Sequence, residues 1–207
     1  MKTEIIPVIH MTSSNQVLEN VATCINCGIE KVFLINHVVS AHEVLMVARE
    51  VKKQYPTLWV GINMLGVRTE NAIMLDDPAI DGLWCDASIS MEESLCRQFK
   101  GMFFGGLAFK YQPQPKDLEA ACREAMLTTD VATTSGSATA KAAAVEKITT
   151  IRGYLGDHPM AIASGVSAEN ISDYIGLVNY LLVASSITDR RNEMIIEEKL
   201  RELKSKL

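Results

Sequence analysis

Residues 160–186 have the sequence MAIASGVSAENISDYIGLVNYLLVASS, and this stretch contains one complete strand–helix–strand unit. Residues 160–164 and 180–184 are short apolar runs, a pattern that is typical of strands buried on both faces. Residues 168–175 lie between them, and Ser167 stands immediately before this segment, where a helix N-cap is expected. Two such strands joined through a helix form the repeating unit of a parallel sheet.

The same alternation recurs outward from this unit along the whole chain. The predicted strands are residues 3–9, 31–35, 58–62, 80–85, 102–108, 130–134, 160–164 and 180–184. The predicted helices include residues 15–27, 41–54, 115–127, 140–155 and 168–175, whereas the polar segment 66–75 is predicted to hold only a turn or two. Eight strands, each followed by a helix, predict an α/β fold, a compact single-domain (β/α)8 TIM barrel over residues 1–207. A doubly wound open sheet is the alternative, because periodicity alone does not show that a sheet closes.

The last segment, residues 192–207, is charged, and Ile196, Leu200, Leu203 and Leu207 recur in it at helical spacing. This pattern predicts an outer helix that packs on the barrel. An interface with a partner is the alternative for this helix, and the apolar outer helices leave a homo-oligomer open.

The composition excludes several classes of protein. The chain has 207 residues, a formal net charge of −5 and 48% hydrophobic residues, so it can bury a core of its own. Its Lys and Arg residues are scattered and lack the clustering that phosphate contacts of a nucleic-acid binder need. No run of about 18 uncharged apolar residues occurs, and Glu4 and Pro7 interrupt the start, where a signal peptide needs an apolar stretch. We therefore predict a cytoplasmic protein with neither a nucleic-acid nor a membrane partner.

The five cysteines are an odd number in a chain large enough to fold without disulfides. Cys24 and Cys27 form a CxxC pair, but no second pair follows, and the motif lies inside the predicted helix 15–27. A buried helix face is the favoured interpretation, with metal or redox use as the alternative. No cofactor and no metal site is predicted, because His10 and Asp86 alone are too few ligands.

The reactive face of a (β/α)8 barrel is built from the C-terminal ends of its strands and the loops that follow them. In this sequence those positions carry polar or small residues, where a purely structural role predicts Val, Ile or Ala. They are His10, Asn36, His37, Asn63, Asp86, Lys110, Ser135, Gly136, Ser164, Gly165, Ser185 and Ser186. This polar ring on an apolar frame predicts a small-molecule site. Of these residues, His37 is expected to be solvent-exposed or to cap its helix.

Phosphate binding is predicted for the loops after the last three strands. Ser164, Gly165 and Val166 run directly into the predicted helix 168–175, so that the glycine permits close approach and the free N–H groups of the helix start face a bound anion. Small residues and hydroxyls follow the neighbouring strands at Ser135, Gly136, Ser185 and Ser186. An ordinary turn with a Ser cap is the alternative. The predicted partner is therefore a phosphorylated small molecule.

Lys110 leads the candidate catalytic residues. A lysine at an apolar barrel mouth can act as a base, as a Schiff-base nucleophile or as a fixed cation for a phosphate, and a solvated strand-end lysine is the alternative. Asp86 is predicted to be the general acid or base that pairs with Lys110, or instead to cap the next helix through Ser88. His10 titrates near neutrality, so it either takes part in proton transfer or forms a structural hydrogen bond at the rim.

Residues 161–187, AIASGVSAENISDYIGLVNYLLVASSI, resemble the end of the BtpA/SgcQ-like barrels, a branch near the ribulose-phosphate-binding barrels. In that family a GSGV-(T/S)-x-EN-(V/I) element precedes a (V/I)GTS-type last strand. The pieces PVIHM, FLIN, GINML, LAFKY and TSGSATAKAAAVEKITTIR are similar to earlier elements of the family and follow in the same order. The resemblance assigns site positions to His10, Asn36, Asn63, Lys110, Ser135, Gly136 and Thr139.

Members of that family look like photosystem assembly factors in some settings and sugar-operon enzymes in others. We expect an enzyme that binds a sugar or nucleoside phosphate at the last loops and performs isomerase- or aldolase-like acid–base chemistry. The reacting end of the ligand is expected to face His10, Asn63, Asp86 and Lys110. The alternative is a non-catalytic barrel that acts in assembly or regulation. It is favoured by the short segment 12–14, which replaces the family's Pro- and Gly-rich loop after the first-strand His.

Overall fold

The computed structural model of the protein describes residues 2–87 and 91–207, and in these ranges eight parallel strands form a closed barrel. The strands follow each other around the barrel in chain order, and the eighth pairs with the first. They are β1 (Glu4–Met11), β2 (Lys31–Asn36), β3 (Trp59–Asn63), β4 (Gly82–Cys85), β5 (Met102–Gly106), β6 (Val131–Ser135), β7 (Met160–Ala163) and β8 (Tyr180–Val183). The (β/α)8 prediction is confirmed, and the open-sheet alternative is wrong.

Helices connect most of the strands on the outside of the barrel. They are α1 (Ser14–Asn26), α2 (Ala41–Gln54), α3 (Thr69–Ile73), α4 (Glu93–Cys96), α5 (Leu118–Thr128), α6 (Val145–Leu155) and the C-terminal α7 (Glu197–Lys204). Ser40 and Glu43 begin α2 with a capping box, in which each side chain accepts a hydrogen bond from the main-chain N–H of the other residue. The polar segment 66–75 holds only the five-residue α3, as predicted.

Aromatic side chains fill the N-terminal half of the barrel interior. Phe33, Trp59, Phe104 and Tyr180 pack at tilted or edge-to-face angles, with ring centroids 5.0 to 6.1 Å apart. Gly61 leaves room for these rings, because a Cβ at that position would lie 2.3 Å from the Phe33 ring. The aromatic layer closes the barrel from below, so the open space lies toward the C-terminal ends of the strands.

The predicted helix 168–175 is wrong, because the segment contains only a single 3₁₀ turn, Ile171–Asp173. The side chain of Asn170 explains the difference. Its Oδ1 accepts the Ser167 N–H at 2.9 Å, and its Nδ2 donates to the Gly165 carbonyl at 2.8 Å. An asparagine that binds nearby main-chain groups in this way competes with the helix and favours a turn. The expected helix N-terminus after β7 is therefore replaced by an asparagine-stabilised loop.

After β8 the chain forms an antiparallel hairpin of β9 (Thr188–Asp189) and β10 (Met194–Ile195), which overlaps the start of the predicted helix 192–207. The predicted helix 192–207 is correspondingly shortened to α7, since residues 194–195 pair with β9. Leu200 and Leu203 on α7 are buried in the core, as their spacing predicted.

Two other helices begin later than predicted. The segment 115–127 becomes helical at Leu118, because the Asp117 side chain accepts the Ala120 N–H and caps the first turn. Residues 140–144 are a loop before α6, and Ala140 has a left-handed φ of +59° in it. This loop packs against the loop after β7.

All five cysteines are free and buried. Cys24 and Cys27 belong to the hydrophobic core at the end of α1, which confirms their interpretation as part of a buried helix face. In the two described ranges, no helix is both long and apolar enough to cross a membrane.

Candidate active site

A cavity of about 500 Å³ opens at the C-terminal ends of the barrel strands. Its floor is apolar and is formed by Val8, Ile35, Trp84, Phe109 and Leu182. Its polar lining includes His10, His37, Asp86, Lys110, Ser164 and Arg190. The volume lies in the range of about 300–1,000 Å³ that is usual for small-molecule sites.

Lys110 lies just beyond the end of β5 and extends into the cavity. Its main-chain N–H donates to Ser135 Oγ at 2.8 Å, and its Nζ donates to Ser164 Oγ at 2.5 Å. The Nζ also lies 5.7 Å from the centroid of the Phe109 ring. Burial lowers the pKa of Lys110, and the charge of Asp86 partly opposes this effect. The structure therefore holds Lys110 at both ends in partly apolar surroundings.

Lys147 on α6 supports both the loop that carries Lys110 and the end of β6. Its Nζ donates to the Ala108 carbonyl at 2.7 Å and to the Ser135 carbonyl at 2.8 Å. Ala108 and Tyr111 have left-handed φ values of +47° and +61°, so the chain turns sharply on both sides of Lys110. Burial lowers the pKa of Lys147. In the sequence this residue is one of two lysines in the predicted helix 140–155, and nothing distinguishes it before the fold is known.

Asp86 follows β4 and lines the same cavity. Asn63, at the end of β3, donates from Nδ2 to Asp86 Oδ1 at 3.2 Å. Burial raises the pKa of Asp86, while the Asn63 hydrogen bond and the charge of Lys110 act in the opposite direction. Gly106 permits the close approach of β5, because a Cβ there would lie 1.9 Å from the Asp86 carbonyl oxygen. Ser88, through which Asp86 was alternatively expected to cap a helix, lies outside the described residues.

His10 and His37 lie side by side at the rim, with ring centroids 4.5 Å apart. Burial lowers the pKa of His10 to about 4, together with smaller contributions from neighbouring His37 and Lys110. His37 is exposed, as expected, but it also lines the cavity, and burial and then Lys110 lower its pKa. Both rings are consequently neutral at pH 7.

Gly165 serves a contact between two loops. It has a left-handed φ of +70°, and a Cβ at this position would lie 2.2 Å from both Ala142 N and the Lys141 carbonyl carbon. The sequence predicts that this glycine lets a ligand approach closely, but in the structure the group that approaches it is the main chain of Lys141 and Ala142. The loop after β7 is also joined to the loop after β8, since Ser186 Oγ donates to the Val166 carbonyl at 2.7 Å.

The residues predicted to bind phosphate fall into two groups. Ser164, Gly165, Val166, Ser185 and Ser186 line the cavity. In the part of the chain that the structure describes, the main-chain N–H groups of Gly165, Val166, Ser185 and Ser186 donate to no protein acceptor. These donors are free to bind an anion even though the expected α-helix is replaced by a loop.

Ser135 and Gly136 form the second group and lie behind the cavity. Ser135 is fully buried, and its hydroxyl group binds the Lys110 N–H and the Gly136 carbonyl. Gly136 packs against the Lys141 carbonyl oxygen, which a Cβ would approach to 2.1 Å. Asn36 is structural as well, because its Oδ1 accepts the Leu65 N–H at 2.6 Å. Ser135, Gly136 and Asn36 therefore hold the surrounding main chain in place behind the cavity.

Arg190 lies at the mouth of the cavity and is a lining residue that the sequence analysis missed. It lies between β8 and the predicted helix 192–207, and the β9–β10 hairpin places it over the barrel end. Arg190 and Lys110 give the cavity two cationic side chains, against the one carboxyl group of Asp86 in its lining. This balance of charge suits an anionic ligand.

No family model and no curated protein matches the chain. Solved structures with a similar fold include orotidine 5'-monophosphate decarboxylase from Methanocaldococcus jannaschii, with a TM-score of 0.72 and 11% identity over 99% of this chain and 98% of that one. A KDPG aldolase from Legionella pneumophila, with pyruvate captured as a covalent carbinolamine, has a TM-score of 0.71 and 13% identity over 98% and 94%. Phosphoribosyl anthranilate isomerase from Thermus thermophilus has a TM-score of 0.68 and 12% identity over 98% and 97%.

These neighbours are a decarboxylase, an aldolase and an isomerase, all of which are enzymes on (β/α)8 barrels. At this level of identity the likeness shows the shared fold alone. The resemblance to BtpA/SgcQ-like barrels stays a prediction from the sequence motifs. The chain therefore has the (β/α)8 barrel fold that these three enzymes share.

Proposed function

We propose that the protein is an enzyme that binds a small sugar phosphate in the barrel cavity and catalyses proton transfer on it, as isomerases and aldolases do. One observation carries this proposal. Lys110 and Asp86 line one cavity, and burial moves the pKa of each group toward neutrality. Groups with pKa values close to the working pH are the most effective general acids and bases.

The charge of the cavity supports an anionic substrate. Arg190 at the mouth and Lys110 deeper inside are separate cationic contacts, and the free N–H groups after β7 and β8 add hydrogen-bond donors. A phosphate bound at these loops holds the other end of the substrate near Asp86, so that binding energy from the non-reacting end positions the reacting end.

Each reacting group has a defined task in this proposal. Asp86 takes or gives the proton at carbon, and Asn63 orients its carboxyl group through the 3.2 Å hydrogen bond. Lys110 stabilises the charge that develops on the substrate oxygen. The same amine also has the surroundings of a Schiff-base lysine, since burial favours its neutral, nucleophilic form. In the similar KDPG aldolase, pyruvate is captured as a covalent carbinolamine.

A thermal-shift screen tests ligand binding, because a ligand that binds only the folded state raises the melting temperature. The probes are inorganic phosphate, sulfate, and a panel of sugar and nucleoside monophosphates. We expect a rise with a sugar monophosphate that is lost in Arg190→Gln and retained in the control Arg191→Gln, whose guanidinium is paired with Asp189 and 88% exposed. No response to any of these anions from folded protein would overturn the proposal.

Covalent chemistry is tested separately by borohydride reduction in the presence of the ligand that the screen identifies. A stable adduct on Lys110 would assign a Schiff base, while turnover without an adduct would assign charge stabilisation to this lysine. Lys100, which lies on the surface, is the matched control for labelling.

The second candidate function is that of a non-catalytic assembly or regulatory barrel. It is favoured by the connection between β1 and α1, which consists only of Thr12 and Ser13 and leaves that side of the rim without a long loop. Binding of no phosphate ester, together with a specific protein partner, would favour this candidate.

A further inference from the structure

The turn of the β9–β10 hairpin contributes two side chains to the rim of the cavity. Arg190 lines the cavity itself, and Glu193 lies beside His10 in a neighbouring recess. The Oε2 atom of Glu193 is 3.4 Å from His10 Nδ1. The hairpin lies between β8 and α7, next to the C-terminal end of the barrel.

Glu193 has a backbone conformation that glutamate rarely adopts. Its φ is +55°, in the left-handed region, which is costly for a residue with a Cβ and persists only where the surroundings enforce it. Here two side chains of α1 enforce it, since Gln16 Nε2 and Asn20 Nδ2 both donate to the Glu193 carbonyl, at 2.9 and 2.8 Å. Asn20, which is fully buried, also accepts the Ile195 N–H at 2.7 Å.

Gln16 ties the same turn to the strand that carries the histidine. Its Nε2 donates to the His10 carbonyl at 3.1 Å as well as to the Glu193 carbonyl, and its Oε1 accepts the Thr12 N–H at 3.2 Å. The main chains of His10 and Glu193 are therefore held in a fixed relation by one buried side chain. The 3.4 Å contact between Glu193 Oε2 and His10 Nδ1 lies just beyond the usual hydrogen-bond range of about 2.7–3.2 Å, and such contacts in unliganded sites often tighten when a ligand binds.

The charged and titratable groups around His10 come from three parts of the chain. His37 follows β2, Lys110 follows β5, and Arg190 and Glu193 belong to the hairpin turn. Burial, His37 and Lys110 disfavour the imidazolium, so the ring is neutral at pH 7. A neutral imidazole has one donor and one acceptor nitrogen, and its partner decides which nitrogen carries the proton.

We propose that Glu193 is a positioning residue of the active site: its carboxylate accepts the Nδ1–H of His10 and so leaves Nε2 as the proton acceptor. Across residues 2–87 and 91–207, Nε2 of His10 has no hydrogen-bond partner in the protein. An isomerase or aldolase has to move a second proton, and a base at this position would transfer it. This inference rests on the proposed function, since it assigns His10 a part in that chemistry.

The tautomer of His10 can be measured without any substrate. Long-range ¹H–¹⁵N spectra distinguish the two neutral tautomers, and the chain has only four histidines to assign. We expect the Nδ1–H tautomer in the parent protein. Glu193→Gly removes the carboxylate yet adopts φ of +55° freely, so the turn is kept while the Nε2–H tautomer gains population.

Two further variants separate positioning from a purely structural role. Glu193→Asn also tolerates the left-handed conformation but is shorter by one methylene, so it should lose the Nδ1–H preference as the glycine variant does. Glu193→Gln keeps an acceptor oxygen at the same reach and should restore it. Retention of the Nδ1–H tautomer in both the Gly and Asn variants, or an Nε2–H tautomer in the parent, would overturn the proposal. The result is independent of whether a sugar phosphate binds, so failure of the proposed function is recognised separately in the ligand screen.

Discussion

Gly165→Ala is expected to destabilise the protein more than Gly66→Ala, although both glycines are left-handed, with φ of +70° and +84°. At either position a Cβ costs about 1–2 kcal/mol for the backbone conformation alone. At Gly66 the new methyl group meets nothing within 4 Å, whereas at Gly165 it lies 2.2 Å from Ala142 N and from the Lys141 carbonyl carbon. Overpacking against main chain that has to move adds about 1–3 kcal/mol.

Urea denaturation followed by circular dichroism measures the free energy of unfolding of the parent and both variants. We expect a loss of about 1–2 kcal/mol for Gly66→Ala and of about 2–5 kcal/mol for Gly165→Ala. The change in unfolded-state entropy is the same for both substitutions, so the difference between them isolates the contact of the two loops. Equal losses of unfolding free energy in the two variants would refute this reasoning and would favour a role for Gly165 in the close approach of a ligand.

Three further predictions concern buried polar groups. Asp86→Asn should raise the free energy of unfolding at pH 7, because burial raises the pKa of Asp86 and makes its ionised form unfavourable in the folded protein. In urea titrations this gain in stability should vanish as the pH falls through the pKa of Asp86 in the folded protein. The pKa of His10 is lowered to about 4, so the stabilising contribution of its neutral ring is present above about pH 6.5 and is lost as the pH falls toward 4. Between these pH values the free energy of unfolding of His10→Gln should therefore fall less than that of the parent protein. Lys147→Met removes the hydrogen bonds to the Ala108 and Ser135 carbonyls and should cost about 3 kcal/mol by chemical denaturation, whereas an unchanged stability would contradict its supporting role.

Most of the barrel is predictable from the sequence, since its strands are buried on both faces and appear as apolar runs. The eight strands lie where the runs are, and α2 has the predicted bounds because Ser40 and Glu43 mark its start. The segment 168–175 contains residues compatible with a helix, but the Asn170 side chain binds the Ser167 N–H and the Gly165 carbonyl and so favours a turn. Such a local competition is decided by geometry that residue types alone do not specify.

The candidate site is predictable in its location and in its strand-end residues. Lys110, Asp86 and His10 line the cavity because parallel strands bring their C-terminal ends to one edge. Arg190 and Glu193 are not predictable in the same way, since their positions depend on the β9–β10 hairpin, whose two-residue strands leave no periodic pattern in the sequence. Lys147 acts through main-chain carbonyls, which carry no signature in the sequence.

Solvent-deuterium exchange tests the central claim most directly, because proton transfer at carbon incorporates deuterium even when the overall reaction is unknown. Sugar monophosphates are incubated with the enzyme in D₂O, and the C–H signals next to the carbonyl group are followed by ¹H NMR. We expect one sugar phosphate to exchange, with rates lowered by at least about 10²-fold in Lys110→Met and in Asp86→Asn. The surface controls Lys100→Met and Asp76→Asn, whose side chains are 81% and 82% exposed, should exchange as the parent does. Exchange that persists in both active-site variants, or that occurs with no sugar phosphate, would contradict the account.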